Sequence, residues 1–460
     1  MSMSTFKIKN FAGGLNQSAD DSVLALNQSR NAQNMDVSAG TLKTINGYVQ
    51  HVPFAVPAGV TRLMKFYRND TATGAVTSYL LAATATALYY WNGTEWTSLV
   101  TGTASGDWDY INYQIGVTDY IFMGNGDVMK KWDGTTLTDW GGTPPLAGSI
   151  TLSDERVWLT GVKANPNSVF YSDDLNPENW TGGEDASGQV DIPTWDGGVC
   201  LGISTIFSDV VIFKTNSIHR ILGTYPAVYE VKQVYSTTGA IAEKTIVSAT
   251  DKAFFLTKDG LYYYNGVSAF PLLGDKAKDV KINPAYAKNA VSVVYKNVLY
   301  CAFPEGSSTV NNAVFVYDLS SGALMLWRGL EVSDFVEYDG KLLFSNSTGK
   351  VYQLDDSATT FDGGEITAFW ETPWQDLDAY RVEKTADTLY FYAKGHGTLR
   401  IDMTFDGKTK TKNVTLSPTG RLHQIPCNLE GRRFRFKFSS VGGSDFELTA
   451  PELTYEGDED

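Results

Sequence analysis

Cysteine, histidine and charge are all scarce in this chain. Its 460 residues hold three cysteines and four histidines, and only 19% of them are charged. Cys200, Cys301 and Cys427 lie far apart with no CxxC pair. That excludes a disulfide or zinc scaffold and predicts buried thiols in a reducing compartment. His51, His219, His396 and His423 stand in no metal-ligand spacing, so neither a metal nor any other cofactor is expected. His219, on an apolar strand with Ile218 and Ile221, reads as a structural histidine, and His396 as part of a turn, Lys394-Gly-His-Gly397. No G-x-S-x-G elbow, P-loop or HExxH occurs, and Gly124-Asn-Gly126 reads as a hairpin turn. No apolar run approaches the ~20 residues of a membrane span. The opening MSMSTFKIKNFAGG lacks an apolar signal core, so no membrane insertion by this chain is expected. Triplets such as Asn92-Gly-Thr are then expected to remain unglycosylated. The net charge of −15 argues against a free-standing grip on nucleic acid, which needs a basic face.

Aromatic residues and glycine are abundant: 25 Tyr, 23 Phe, 11 Trp and 43 Gly. With helix-forming stretches nearly absent, this composition predicts an all-β protein with tight turns. The length suits two or three domains. A motif recurs along the middle of the chain: a short apolar strand, a turn, then a strand ending in a polar turn. Tyr79-Leu-Leu-Ala-Ala with Ala87-Leu-Tyr-Tyr-Trp91 is the first copy, and Lys341-Leu-Leu-Phe344 with Lys350-Val-Tyr352 the seventh. The second strands are marked by positions 91, 132, 171, 219, 264, 317 and 352, spaced by 41, 39, 48, 45, 53 and 35 residues. This is the repeat length of a four-stranded blade, so residues 56–356 are expected to form a β-propeller of about seven blades. A stack of hairpin sandwiches is the alternative that alternation alone leaves open.

The two ends break the repeat. Residues 1–55 are Asn-rich and too poor in apolar residues to fold alone, so they are expected to dock on the propeller or on another subunit. After a linker, residues 357–364, residues 365–460 are expected to form a β-sandwich of about eight strands with an acidic tail. Within it Arg433-Phe-Arg435-Phe-Lys437-Phe alternates strictly. The plain reading is an edge or surface strand with a solvated cationic face. The sharper one is a basic stripe meeting an acidic neighbouring subunit.

Paired carboxylates for glycoside hydrolysis could come from Asp173, Asp174, Glu184 and Asp185. With 52 acidic residues in the chain, closeness in sequence is expected by chance. The segment Tyr171-Ser-Asp-Asp-Leu-Asn-Pro-Glu-Asn-Trp180 is loosely similar to the Asp-box of sialidase propellers, itself a structural turn, and lacks its Gly and Thr. No enzymatic activity is expected.

The N-terminal block carries a further likeness. Phe11-Ala-Gly13-Gly14-Leu-Asn, then Arg30-Asn31-Ala-Gln-Asn34-Met-Asp, then Gly40-Thr-Leu-Lys-Thr with Gly47-Tyr48 resembles the opening of tail nozzle proteins of short-tailed bacteriophages. These are also called tail tubular protein B, packaged-DNA stabilisation protein or tail hub. Thr44-Ile45 stands where that family carries Arg. Val210-Val-Ile-Phe-Lys-Thr-Asn, Thr238-Gly-Ala-Ile-Ala-Glu243 and Tyr317-Asp-Leu-Ser-Ser-Gly follow in the family's order. The resemblance covers most of residues 6–355. It implies a structural virion protein, assembled in the host bacterial cytoplasm into a homohexameric ring of the tail below the portal and adaptor. The ring would enclose the DNA exit channel without specific DNA binding, retain and conduct the genome, and carry tail fibres, spikes or a needle. The alternatives are a polysaccharide-degrading propeller and a non-viral interaction module.

Overall fold

The computed structural model describes residues 3–71, 73–182, 187–223, 229–235, 238–249, 251–377 and 379–457. Strands dominate, with four short 3-10 turns among the described residues. Seven four-stranded antiparallel sheets follow one another along the chain. Every hairpin read from the repeat is the second and third strand of one sheet, from Val76–Thr84 with Ala87–Trp91 to Lys341–Ser345 with Val351–Leu354. The first strands line the axis: Val60–Asn69, Asp109–Ile115, Ser149–Ser153, Cys200–Ile206, Val247–Ala249, Val291–Tyr295 and Asp334–Tyr338. Each touches the next, and the seventh returns to the first. The protein is therefore a seven-bladed β-propeller; the blades are numbered 1 to 7 in that order.

Apolar alternation along these strands places large rings between neighbouring blades. Trp132 of blade 2 packs 5.9 Å from Phe66 and 4.9 Å from Tyr90 of blade 1. Phe213 of blade 4 lies 5.0 Å from Phe255 of blade 5. Such pairs hold the sheets face to face. The tight turns use positive φ, as at Lys296 and Asn297 in blade 6, which suits a two-residue hairpin of right-handed twist.

The last blade is completed from the other end of the chain. Tyr48–Gln50 pairs with Val351–Leu354 as its fourth strand, so the propeller begins inside the segment 1–55 rather than at 56. Gly47 makes this closure possible, because a Cβ there would lie 1.9 Å from the Thr360 carbonyl oxygen. Tyr48 stacks on Phe361 at 4.9 Å, which pins the linker to the ring.

The remaining N-terminal strands join the C-terminal domain. Met3–Lys7 pairs with its last strand, Asn31–Gln33 with Phe369–Glu371, and Leu42–Thr44 with Glu447 and Leu448. The expected sandwich is built from one nine-stranded sheet. Two long strands, Lys384–Phe405 and Phe434–Gly457, pair along nearly their whole length with three register shifts, the last between His396 and Thr398 where the chain bends. The halves on either side of that bend face each other. Phe391 meets Phe438 at 6.5 Å, and the Cys427 thiol lies 3.6 Å from the Met403 sulfur. His396 accordingly sits in a bent strand rather than a turn, with its Nδ1 3.0 Å from Asp445.

Candidate functional site

The five residues singled out in the N-terminal block all form joints. Gly13 donates its N–H to the Asn27 carbonyl at 3.0 Å, and a Cβ on it would lie 2.5 Å from Gln28 Cγ. Gly14, at φ +66, passes so close to blade 6 that a Cβ would stand 2.6 Å from the Leu324 carbonyl oxygen. Asn31 Nδ2 donates to Glu371 at 2.8 Å. Asn34 is buried, at φ 55. Its Nδ2 donates to the Arg328 and Thr367 carbonyls at 3.0 and 2.9 Å, and its Oδ1 accepts from the Arg328 N–H at 2.8 Å. One side chain thereby ties the N-terminal strap to blade 6 and to the entry of the C-terminal sheet. Gly40, at φ +76, closes the turn whose carbonyl accepts from Phe11 N at 3.1 Å. Phe11 in turn meets the fully buried Trp370 at 5.6 Å.

The alternating segment at 433–438 corrects an expectation. It is flanked by ladders on both sides, from Phe405 to Ile401 on one and Phe369–Glu371 on the other. It is therefore not an edge strand, because its three phenylalanines are needed inside the folded sheet. Its cations are largely met within the chain. Arg435 pairs with Glu371 at 2.7 Å and with Asp21 at 3.8 Å. The Arg433 and Arg435 guanidinium groups lie 4.7 Å from the Trp374 ring, and Lys437 Nζ lies 4.3 Å from that of Phe369. Arg433 alone of the three stays exposed.

A second constellation lies on the propeller axis, beneath a cavity of about 580 Å³ lined by Thr61, Asp107, Glu243 and Lys244. Arg62 of blade 1 lies 3.2 Å from Asp109 of blade 2 and 3.8 Å from Asp334 of blade 7. Burial opposes the Arg62 charge, yet Asp334 and Asp109 keep its pKa above the ordinary value. The second oxygen of each carboxylate accepts a backbone N–H of the following blade, Leu63 for Asp334 and Ile150 for Asp109. Ser149 continues the relay by accepting from Ile203 N at 3.2 Å. From the connection between blades 4 and 5, the turn Glu243–Thr245 reaches over this ring. Lys244 Nζ donates to the Thr61 carbonyl at 2.7 Å and lies 3.3 Å from Asp107, while Glu243 lies 3.5 Å from Ser149 Oγ. Burial, and then the charge of Asp109, push the Glu243 carboxyl up to about 7.

Blade 4 holds a third group. Lys214, fully buried, donates to Asp196 and to the Pro193 carbonyl, both at 2.6 Å. Ser217 Oγ bonds Asp196 and lies 2.9 Å from His219 Nε2. The residue types evoke nucleophilic catalysis, but Ser217 stands between the other two, and Ser217 and His219 are at most 1% exposed. A nucleophile needs its base on one side and its substrate on the other, so this group is a clamp on the 193–198 loop. Asp173 and Asp174 lie in a turn closed by an Asn179–Asp173 bond of 3.1 Å. Glu184 and Asp185 lie outside the described residues. Among the described residues no group of three or more His, Cys, Asp or Glu is placed to hold a metal ion.

Sequence reasoning missed the axial and blade 4 groups. Their one signal was a charged residue inside or ending an apolar strand, as in Arg62-Leu-Met and Val211-Ile-Phe-Lys214. Alignment of the repeats also brings Asp109 and Asp334 to the same position, the first residue of a blade.

No family model and no curated protein matches the chain. Among solved structures it is similar to the extracellular domain of the hybrid two-component system BT4673 of B. thetaiotaomicron, at 10% identity and a TM-score of 0.44. That match covers 80% of this chain and 47% of the other, so the chain spans about half its length. PorZ of the type-IX secretion system of Porphyromonas gingivalis matches at 11% identity and TM-score 0.43, over 85% of this chain and 62% of that one. The computationally designed Ika8 protein matches at 10% identity and 0.39, over 67% and 99%.

Proposed function

We propose that this propeller is a wall segment of a bacteriophage tail nozzle, a structural protein of the virion rather than an enzyme. The observation that carries the reading is the strap. Of the motif residues that resemble the nozzle family, Gly14, Asn31 and Asn34 brace blade 6 and the C-terminal sheet into one body, while Gly13 and Gly40 hold turns within the strap itself. Bracing of this kind suits a part that bears load.

The DNA path in this reading runs between subunits. The propeller's own axis is crossed by Glu243–Thr245 and bridged by Arg62. Duplex DNA, whose major groove alone is about 12 Å wide, has no room there. A net charge of −15 per subunit would give a ring of copies an acidic wall that does not neutralise phosphate, so DNA would slide without adhering.

Electron microscopy of the purified chain and of purified virions tests the proposal. Six-fold rings with a central channel, and labelling of the tail below the adaptor, are expected. A chain that stays monomeric and is missing from virions overturns it.

A further inference from the structure

A cavity of about 420 Å³ lies where the strap crosses blades 6 and 7. Its walls carry Tyr295, Tyr300 and Trp327, with Tyr300 and Trp327 ring centroids 5.5 Å apart. Asp36, Asp318, Asp355 and Asp356 also line it. Asp36, Asp318 and Asp356 each accept on one oxygen, from Ser38, Ser320 and Asn46, while Asp355 accepts on both, from Ser357 and Gln353. None of the four forms an ion pair among the described residues. The two lysines of the lining face other groups. Lys296 Nζ lies 5.0 Å from the Tyr295 ring centroid, and Lys341 donates to Gln353 at 3.1 Å.

The complement lies at the far margin of the C-terminal sheet. Among the described residues Lys408–Thr415 pairs only with Lys384–Phe405, and its Lys410 donates to the Cys427 carbonyl of the adjacent strand Arg421–Gly431 at 2.6 Å. Lys408 and Lys412 on this strand are exposed, and so are Arg432 and Arg433 beside the Asp406 turn that leads into it. An unpaired edge carrying lysines resists indiscriminate strand addition and leaves a cationic ridge on an acidic protein. Four strand spacings separate this edge from Asn31–Gln33, roughly 19 Å. The strap residues that follow Asn31–Gln33 line the cavity. Ridge and cavity thus belong to opposite margins of the C-terminal unit.

We infer that the cavity between the strap and blades 6 and 7 receives the Lys408–Lys412 ridge of a second copy of this chain, in a head-to-tail contact. Charge complementarity selects the occupant. Aromatic walls with carboxylates favour a cationic side chain through both ring faces and ion pairing, and this chain presents such side chains on an unpaired edge. Because two different surfaces meet, the contact is heterologous and propagates into a ring or a filament rather than a two-fold dimer. The inference rests on the nozzle reading for its biological setting, but its chemistry stands on these residues alone.

The test is a charge swap read by sedimentation velocity and electron microscopy of the full-length chain. Lys408→Glu/Lys412→Glu and Asp318→Lys/Asp356→Lys are each expected to weaken self-association at least about tenfold. Mixing the two variants should restore a mixed contact, each supplying the surface that matches the other. Near-ultraviolet circular dichroism of each variant verifies the fold. A second pair, Arg432→Glu with Asp36→Lys, repeats the swap should one variant misfold. Assembly unchanged by either substitution, or no rescue on mixing, overturns the inference. Six-fold rings indifferent to the swap would remove this contact and leave the nozzle reading standing. An open filament that obeys the swap would keep the contact and remove the nozzle reading.

Discussion

Replacing Glu243 by glutamine should stabilise the protein at alkaline pH and flatten its dependence on pH. An ordinary glutamate carboxyl loses its proton near 4.5, whereas in the folded chain burial and the neighbouring Asp109 charge hold the Glu243 proton until about 7. Between those two values the native state keeps a proton that the unfolded chain has released. Stability therefore falls as pH rises through that window and is level above it. At about 1.4 kcal/mol per factor of ten, the difference amounts to at most about 3 kcal/mol. Arg62 and Lys244 oppose the shift, so removing the carboxylate also removes a partner of theirs, and a gain of about 1–2 kcal/mol is the working expectation. Urea denaturation of both proteins between pH 5 and 9 measures it. The wild type should lose stability from pH 5 to 7 while the variant stays nearly level, and the two should diverge most above pH 7. Parallel curves across the range would refute the reasoning, and so would a variant less stable at pH 8.

Asn34→Ala should cost about 3 kcal/mol, since it leaves buried backbone groups of Arg328 and Thr367 unpaired and puts a less tolerant residue at φ 55. Calorimetry checks this, and Asn34→Gly, which tolerates the backbone, should lie no lower than Asn34→Ala. Lys214→Met should cost about 3–5 kcal/mol by stranding Asp196, and adding Asp196→Asn should recover part of the loss. A double variant as unstable as the sum of the singles would argue against the pair.

The sequence alone pointed to a propeller of about seven blades, and the closed ring of sheets settled the count at seven. Strand alternation and turn residues act over a few positions, and hairpins repeated at blade-length spacing can bury their faces by stacking in a ring. It also marked residues 1–55 as unable to fold alone, because Phe11, Leu15 and Met35 are too few to bury one another. What they bury against was decided by tertiary structure. Tyr48–Gln50 meets a strand some three hundred residues away, and Phe11 meets Trp370, contacts that no local pattern encodes. The 433–438 segment shows the same division. Its alternation was legible, but whether its cations meet water, another subunit or Trp374 and Glu371 depended on which strands flank it. The axial charges were the least legible, since Arg62, Asp109, Glu243 and Asp334 become one group only when the ring closes. Ring closure is a property of the whole chain, so the charges it gathers appear only in the folded protein.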